Sequence, residues 1–279
     1  MGKRMVTTTA SGSMERQQSV PMRRLPEHLI AIGQPVVSLD RITQLVGLSR
    51  RSVHTGLARL RADRRLFSPA RGLYVAVPPE YRSWGVVPAE WFVDPMMELL
   101  DRRYYVGLLT AAAVHGVAPQ APQVFQVMVD RQLADRDLGR VRLRFHVSRL
   151  LADGIDLPVE QRTVHTGSLT VATPDLTAID VVAHPGLSGG LHNVADVVAE
   201  LDLDPARVAE VAAHHPRVVA RRLGWLLERI GGRIDLEPLR EVADAAAGEL
   251  LPLDVHGPRT GTPDRGWGLI VNADIDGDR

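Results

Sequence analysis

The residues best suited to chemistry gather in "SRRSVHTGLARLRADRR", positions 49–65, where guanidinium and hydroxyl groups surround a few aliphatic side chains. Arginine presents a planar fork of donors that matches phosphate oxygens and the acceptor edge of guanine. Serine and threonine hydroxyls bond to phosphates or to base edges. This is recognition chemistry for a polyanion. The remaining chain offers less. Its ten histidines include the adjacent pair His214–His215, but no H-E-x-x-H or comparable ligand spacing occurs. Cysteine is absent, which excludes disulfides, thiol nucleophiles and thiolate metal sites. His115 is expected to pack or hydrogen-bond near a helix end. Asp175 is expected in a first helical turn, where a carboxylate suits the dipole. No G-x-x-x-x-G-K-[ST] phosphate loop exists, and "GGLHN" at 189–193 lacks its lysine. No catalytic residue, metal or cofactor is expected, and the chain is read as not an enzyme.

The elements that must hold the basic stretch follow from spacing. Leu25 to Ile32 predicts a first helix with Pro26 in its opening turn. Ser38 caps "LDRITQLVG", whose Leu39, Ile42 and Leu45–Val46 recur at helical spacing, and Gly47 closes it. Leu48 is expected to plug the turn. Ser49 caps a third helix running to about Asp63, so the pair forms a helix-turn-helix. In that third helix Val53, Leu57 and Leu60 form the buried stripe. At about 100° per residue, Arg51 lies about 160° and Thr55 about 200° from Val53. Ser52, His54 and Arg59 flank them, and Gly56 and Ala58 keep the outer surface low. Such a face fits the major groove, about 12 Å wide. Leu66–Phe67 and Leu73–Val77 predict two strands joined by a Ser68–Gly72 loop, the wing of a winged helix. Arg71 stands at its tip, and Arg64 and Arg65 at the helix–wing junction, where phosphates are expected. The candidate DNA-binding residues are therefore Ser49, Arg50, Arg51, Ser52, His54, Thr55, Arg59, Arg64, Arg65 and Arg71.

Charge patterning agrees. The formal net charge is zero, yet residues 1–80 hold 13 Lys or Arg against 5 Asp or Glu, leaving 20 and 28 for the remainder. One end of the chain is built to meet a polyanion and the other is not. Only Lys3 is lysine. No apolar run approaches the roughly 18 residues of a membrane span, and no signal-like core opens the chain, so a cytoplasmic location is expected.

The expected organisation is a disordered segment at 1–21, a winged helix-turn-helix at 22–78, a Pro-rich linker at 79–90 and an α/β domain at 91–279. Within the last, "DPMMELLDRRYYVGLLTAAAVHGVA" predicts two helices broken near Tyr104–Tyr105. A strand follows at Val124–Val129, then "VRLRFHV", where Val141, Leu143, Phe145 and Val147 alternate with Arg142, Arg144 and His146. That polar face is either solvated or a second contact surface. "SLTVATPDLTAIDVVAHP" predicts a strand and a helix begun at Thr173–Pro174. Helices follow from about Leu191, one opening at Asp204–Pro205 and another running from Pro216 to Gly231. "RGWGLIVNADI" is expected to return as a strand to the sheet.

The order of "RGLYV" (71–75), "YYVGLLTAAAVHG" (104–116), "TPDLTAIDVV" (173–182), "RRLGWLLERIG" (221–231) and "WGLIVNADI" (267–275) resembles the AbiEi family of antitoxins from type IV toxin–antitoxin systems linked to abortive phage infection. The resemblance implies an α/β (α+β) multidomain fold, with an N-terminal winged helix-turn-helix followed by a mixed α/β antitoxin domain with C-terminal helices. It implies repression of the protein's own operon. It also implies neutralisation of a cognate nucleotidyltransferase-like toxin, often without a stable complex. The chain itself lacks that toxin's pattern, because Asp175 and Asp180 follow Gly167–Ser168 too closely. The partners expected are double-stranded DNA at its own operator and such a toxin, with no membrane. Homodimer or cooperating monomers on DNA both stay open. The alternative is a ligand-responsive winged-helix regulator without a toxin partner.

Overall fold

The computed structural model describes residues 19–117, 123–231, 234–244 and 249–275. The expected disordered segment 1–21 lies outside them up to residue 18. The described part of it is packed, for Val20 N donates to Leu45 O at 2.9 Å.

The first elements in chain order are α1 (Leu25–Ala31), β1 (Val36–Ser38), α2 (Leu39–Val46), α3 (Arg50–Ala62), β2 (Leu66–Ala70) and β3 (Leu73–Ala76). The strands pair antiparallel in the order β1-β3-β2. One face of this small sheet, with Val37, Leu66, Tyr74 and Ala76, joins Leu25, Leu29, Ile42, Val46, Val53, Leu57 and Leu60 in a core of its own. This is a winged helix-turn-helix arrangement. Two details differ from expectation. Ser68 to Ala70 continue the strand rather than loop out. The register shifts between Phe67↔Val75 and Ala70↔Leu73, a bulge that tolerates Pro69 and leaves only Arg71–Gly72 as the turn. Leu48 does not plug its turn but is 43% exposed. Gly47 at φ +62° swings the chain outward there, and Val46 and Val53 are buried instead.

The second part comprises α4 (Val93–Leu99), β4 (Tyr104–Val106), α5 (Leu108–Val114), β5 (Phe125–Val129), β6 (Arg136–Leu138), β7 (Val141–Val147), α6 (Arg149–Ala152), β8 (Val159–Val164), β9 (Gly167–Ala172) and α7 (Pro174–Ala183). It ends with α8 (Leu191–Glu200), α9 (Pro205–Ala213), α10 (Arg217–Ile230), α11 (Glu237–Ala243) and three short strands, β10 (Leu251–Pro252), β11 (Thr262–Asp264) and β12 (Leu269–Val271). A mixed six-stranded sheet has the order β6-β7-β5-β4-β9-β8. The expected break at Tyr104–Tyr105 is thus β4, near the middle of that sheet. Its alternation sends the Tyr104 hydroxyl to Asp94 on α4 at 2.7 Å and the Tyr105 hydroxyl to Asp180 on α7 at 3.2 Å. The sheet is therefore covered by α4 on one face and by the layer containing α7 on the other. Helix α7 is buried from Asp175 through Val182, the pattern of a helix at the centre of a layer.

"RGWGLIVNADI" does not return to this sheet. β12 lies between β10 and β11 in a separate three-stranded sheet. Its anchor is Trp267, fully buried, whose ring occupies the space that a Cβ on Gly224 of α10 would need. Trp267 Nε1 donates to Glu228 at 2.6 Å, and Arg240 lies over the ring at 4.2 Å. "RRLGW" and "WGLIV" are thus two halves of one contact.

The stretch 79–90 does not behave as a free linker. Val86, Val87 and Ala89 are buried in the large core, and so are Ala70, Leu73 and Val75 from the outer face of the wing sheet. Phe67 meets Phe92 edge to face at 5.2 Å. Across the strap, Tyr81 touches both Trp84 and Trp91, and Trp91 stacks on His165 at 4.0 Å. Proline there sets the path of a packed segment.

Candidate nucleic-acid interface

Two serines set the helix-turn-helix. The Ser38 side chain accepts from Arg41 N and the Ser49 side chain from Ser52 N, each satisfying a free donor at a helix start. Val53, Leu57 and Leu60 anchor α3, at most 4% exposed. That anchoring leaves Arg51, Ser52, His54, Thr55, Ala58 and Arg59 at the surface. Gly56 is the exception. A Cβ on it would meet Met22 Cγ at 2.5 Å, so this glycine admits the segment before α1 rather than lowering the outer face.

The ten candidate residues fall into four groups. Arg51, His54, Arg59 and Arg71 are exposed, and no hydrogen bond or ion pair holds their side chains among the described residues. Ser49, Ser52 and Thr55 are exposed but bond locally. Ser49 Oγ and Ser52 Oγ are 2.9 Å apart, and Thr55 Oγ1 donates back to Arg51 O at 3.1 Å. Arg50 faces Asp40 at 2.8 Å, with the side chains 70% and 76% exposed, a pairing worth little in water. Arg64 and Arg65 are tied inward. Arg65 Nη2 reaches both carboxylate oxygens of Glu27 and the Arg23 carbonyl, at 2.6–2.8 Å. Burial alone would raise the Glu27 pKa, but the hydrogen bond from Arg65, with the charges of Arg65 and Arg82, takes it below the usual carboxylate value. Arg64 donates to Ser83 O at 3.2 Å. The junction arginines thus hold α1 and the strap, a use invisible to spacing because Glu27 lies 38 residues from Arg65. Arg61, which the sequence reading passed over, is exposed on α3 beside them.

On β7, Arg144 is paired with Asp135 at 3.6 Å and Asp137 at 2.9 Å, so the cationic strand face expected there is half neutralised. Arg142 is exposed and unpaired among the described residues.

The interior of the second part holds ionisable groups of another kind. Asp180 is 2% exposed. Burial pushes its carboxyl up to about 7 although Tyr105 donates to it, and its second oxygen has no partner. Asp175, expected only to complement a helix dipole, is buried and accepts from Asp204 N at 2.8 Å. His115 hydrogen-bonds the Ala172 carbonyl at 2.8 Å. His146 and His184 are held below the ordinary histidine value, chiefly by burial. His215 is lowered to about 4 by burial, then by the charges of His184 and His214. Among the described residues no group of three or more His, Asp or Glu is arranged to hold a metal ion.

Gly186–Leu187–Ser188–Gly189–Gly190 spells the G-x-S-x-G of a nucleophile elbow. Its surroundings differ from one, since such an elbow joins a strand to a helix and exposes its serine. Here the segment follows helix α7, Ser188 is fully buried, and its hydroxyl donates to the His184 carbonyl at 3.0 Å.

Residues 105–229, from β4 to the last turn of α10, match the family model of the AbiEi antitoxin C-terminal domain. That stretch, 125 of the chain's 279 residues, is similar to the C-terminal domain of AbiEi antitoxins. The crystal structure of the RV2827C protein from Mycobacterium tuberculosis superposes with a TM-score of 0.60 at 15% identity, covering 89% of this chain and 90% of that one. At that identity the likeness concerns the fold. No curated protein matches. Within the matched stretch lie "YVGLLTAAAVHG" and "TPDLTAIDVV", which supply Tyr105, Asp180 and their packing. The winged helix precedes that stretch, and the Trp267 anchor follows it. Among the described residues, no helix is long and apolar enough to cross a membrane.

Proposed function

We propose that this chain is a DNA-binding antitoxin, which represses its own toxin–antitoxin operon and neutralises a cognate nucleotidyltransferase-like toxin. In this reading residues 22–78 are the DNA-binding unit and 91–279 the antitoxin unit. The observation that carries it is the outer face of α3. Arg51, His54 and Arg59 stand exposed there with no partner among the described residues, on a helix whose opposite edge is fully anchored. Arg51 and Thr55 are the base-reading residues. Thr55 would exchange its bond to Arg51 O for a base edge. Ser49, Arg50, Ser52, His54 and Arg59 flank them, and Arg71 follows the adjacent backbone or minor groove. Arg64 and Arg65 act by holding the helix and strap, with any phosphate contact secondary.

The test is a gel shift of the full chain on its own upstream region and on random duplex, at two salt concentrations. Preference for the upstream region supports sequence reading. Equal, salt-sensitive affinity for both duplexes would leave only phosphate attraction and reject it. Co-expression with the neighbouring gene tests neutralisation through rescue of growth.

A further inference from the structure

A line of contacts leads from the end of the recognition helix onto the six-stranded sheet. Arg64 follows the last turn of α3 in a left-handed conformation, φ +53°, and its guanidinium bonds the Ser83 carbonyl. Its stem runs beside Gly85. Between those two residues Trp84 is 44% exposed. Its carbonyl lies against Gly139, in the β6–β7 turn. The guanidinium of Arg140, next in that turn, sits 5.0 Å from the centre of the Trp84 ring. Arg142 follows two residues later, also exposed.

The acids of this hairpin are engaged elsewhere, for Asp135 and Asp137 both face Arg144. Glu90 lines the same shallow cavity of about 400 Å³ as Arg140 and Arg142, yet pairs with neither among the described residues. Two guanidinium groups with no ion-pair partner among the described residues are thus left at this turn, that of Arg140 over the exposed indole. An arginine drawn to an indole in this way loses less freedom when it takes a phosphate.

We infer that Trp84, Arg140 and Arg142 form a second duplex contact, gripping backbone phosphates that flank the site read by α3. Charge complementarity and physical continuity with α3 support it, and it rests on the DNA-binding reading above. The packed strap makes it workable, because the β6–β7 turn is held at a fixed place relative to α3.

The experiment measures binding of the full chain across a salt series on two duplexes. One carries only the bases covered by α3 and the wing. The other adds one helical turn, about 10 base pairs, on each side. Arg140→Ala/Arg142→Ala is expected to bind the short duplex like the parent. It should bind the long one about tenfold more weakly, with a log–log salt slope shallower by about two. Trp84→Ala should reproduce part of that loss. Thermal midpoints should match the parent, since all three side chains are exposed. Parent-like affinity and slope of the double variant on the long duplex would overturn the inference. So would that result combined with lost toxin rescue, which would assign the patch to a protein. Arg51→Ala judges the underlying reading separately, for it should weaken both duplexes. A short duplex indifferent to Arg51→Ala rejects the α3 assignment, while the double variant on the long duplex still decides the second contact.

Discussion

The two halves of the molecule use the same side chain in opposite ways. In the winged helix, Arg51, Arg59 and Arg71 are exposed and unpaired among the described residues. In the second half, Arg221 and Arg222 are 4% and 7% exposed. Arg221 donates to the carbonyls of Ala243, Asp244 and Glu249, and Arg222 to that of Pro252. These two arginines tie α10 to the chain after α11. Asp175 and Asp180 are buried there as well. A charge count scores Arg51 and Arg221 alike. What separates them is whether the fold supplies a partner, since a buried charge must be bonded inside the protein while an exposed one stays available to a ligand.

The contrast can be broken most forcefully at Asp180. Burial pushes its carboxyl up to about 7 in the folded chain, from the ordinary aspartate value of about 4. The folded state therefore keeps a proton that the unfolded chain has released, and stability falls as pH rises from about 4 to about 7. Asp180→Asn keeps an acceptor for Tyr105 and removes that penalty. Urea unfolding should show a gain of up to roughly 4 kcal/mol at pH 8, vanishing near pH 4. An equal gain at both pH values would show that ionisation is not the cause.

Arg221→Ala should come next, at about 3 kcal/mol of lost stability, because it strands carbonyls that now accept from a charged donor. Denaturant midpoints measure it, and a change below about 0.5 kcal/mol, normal for surface substitutions, would deny that Arg221 differs from Arg51. Arg51→Ala should show the converse, with unchanged unfolding and about 1–3 kcal/mol lost at the operator but not on random duplex. Equal losses on both duplexes would demote Arg51 to a phosphate contact.

The smaller effects sharpen the picture. His215 titrates at about 4, so between pH 6.5 and 4 the unfolded chain takes up a proton that the folded one refuses, and stability falls with acidification. This opposes Asp180. His215→Gln should lessen the decline below pH 6.5 in thermal melts, whereas an unchanged slope would point to other groups. Smallest of all, Asp40→Ala should alter stability by less than about 0.5 kcal/mol, since its pairing with Arg50 is exposed. A larger loss in urea unfolding would mean that the pair braces α2 against α3.

Much of the winged helix was legible in the chain because its signals are local. Ser38, Gly47 and Ser49 mark helix ends within a few residues of the groups they satisfy, and Val53, Leu57 and Leu60 repeat at the period of one turn. Where partners are distant, local spacing is silent. β4 was read as a break between helices, since a three-residue strand is too short to show alternation. The prolines of the strap suggest a linker, yet Val86 and Val87 are buried in a core whose residues extend far along the chain. "RGWGLIVNADI" was recognised as a strand but assigned to the wrong sheet, because pairing is not written in a strand's own residues. Arg65 was grouped with phosphate contacts, and Glu27 claims it.

Helical periods, caps and the outward-facing row on α3 are properties of neighbours within a turn or two, and the chain alone specifies them. Only the tertiary structure decided which charges are free and which are bound. That depends on what the fold brings within hydrogen-bonding distance of each guanidinium or carboxylate, and on whether water remains there to solvate it.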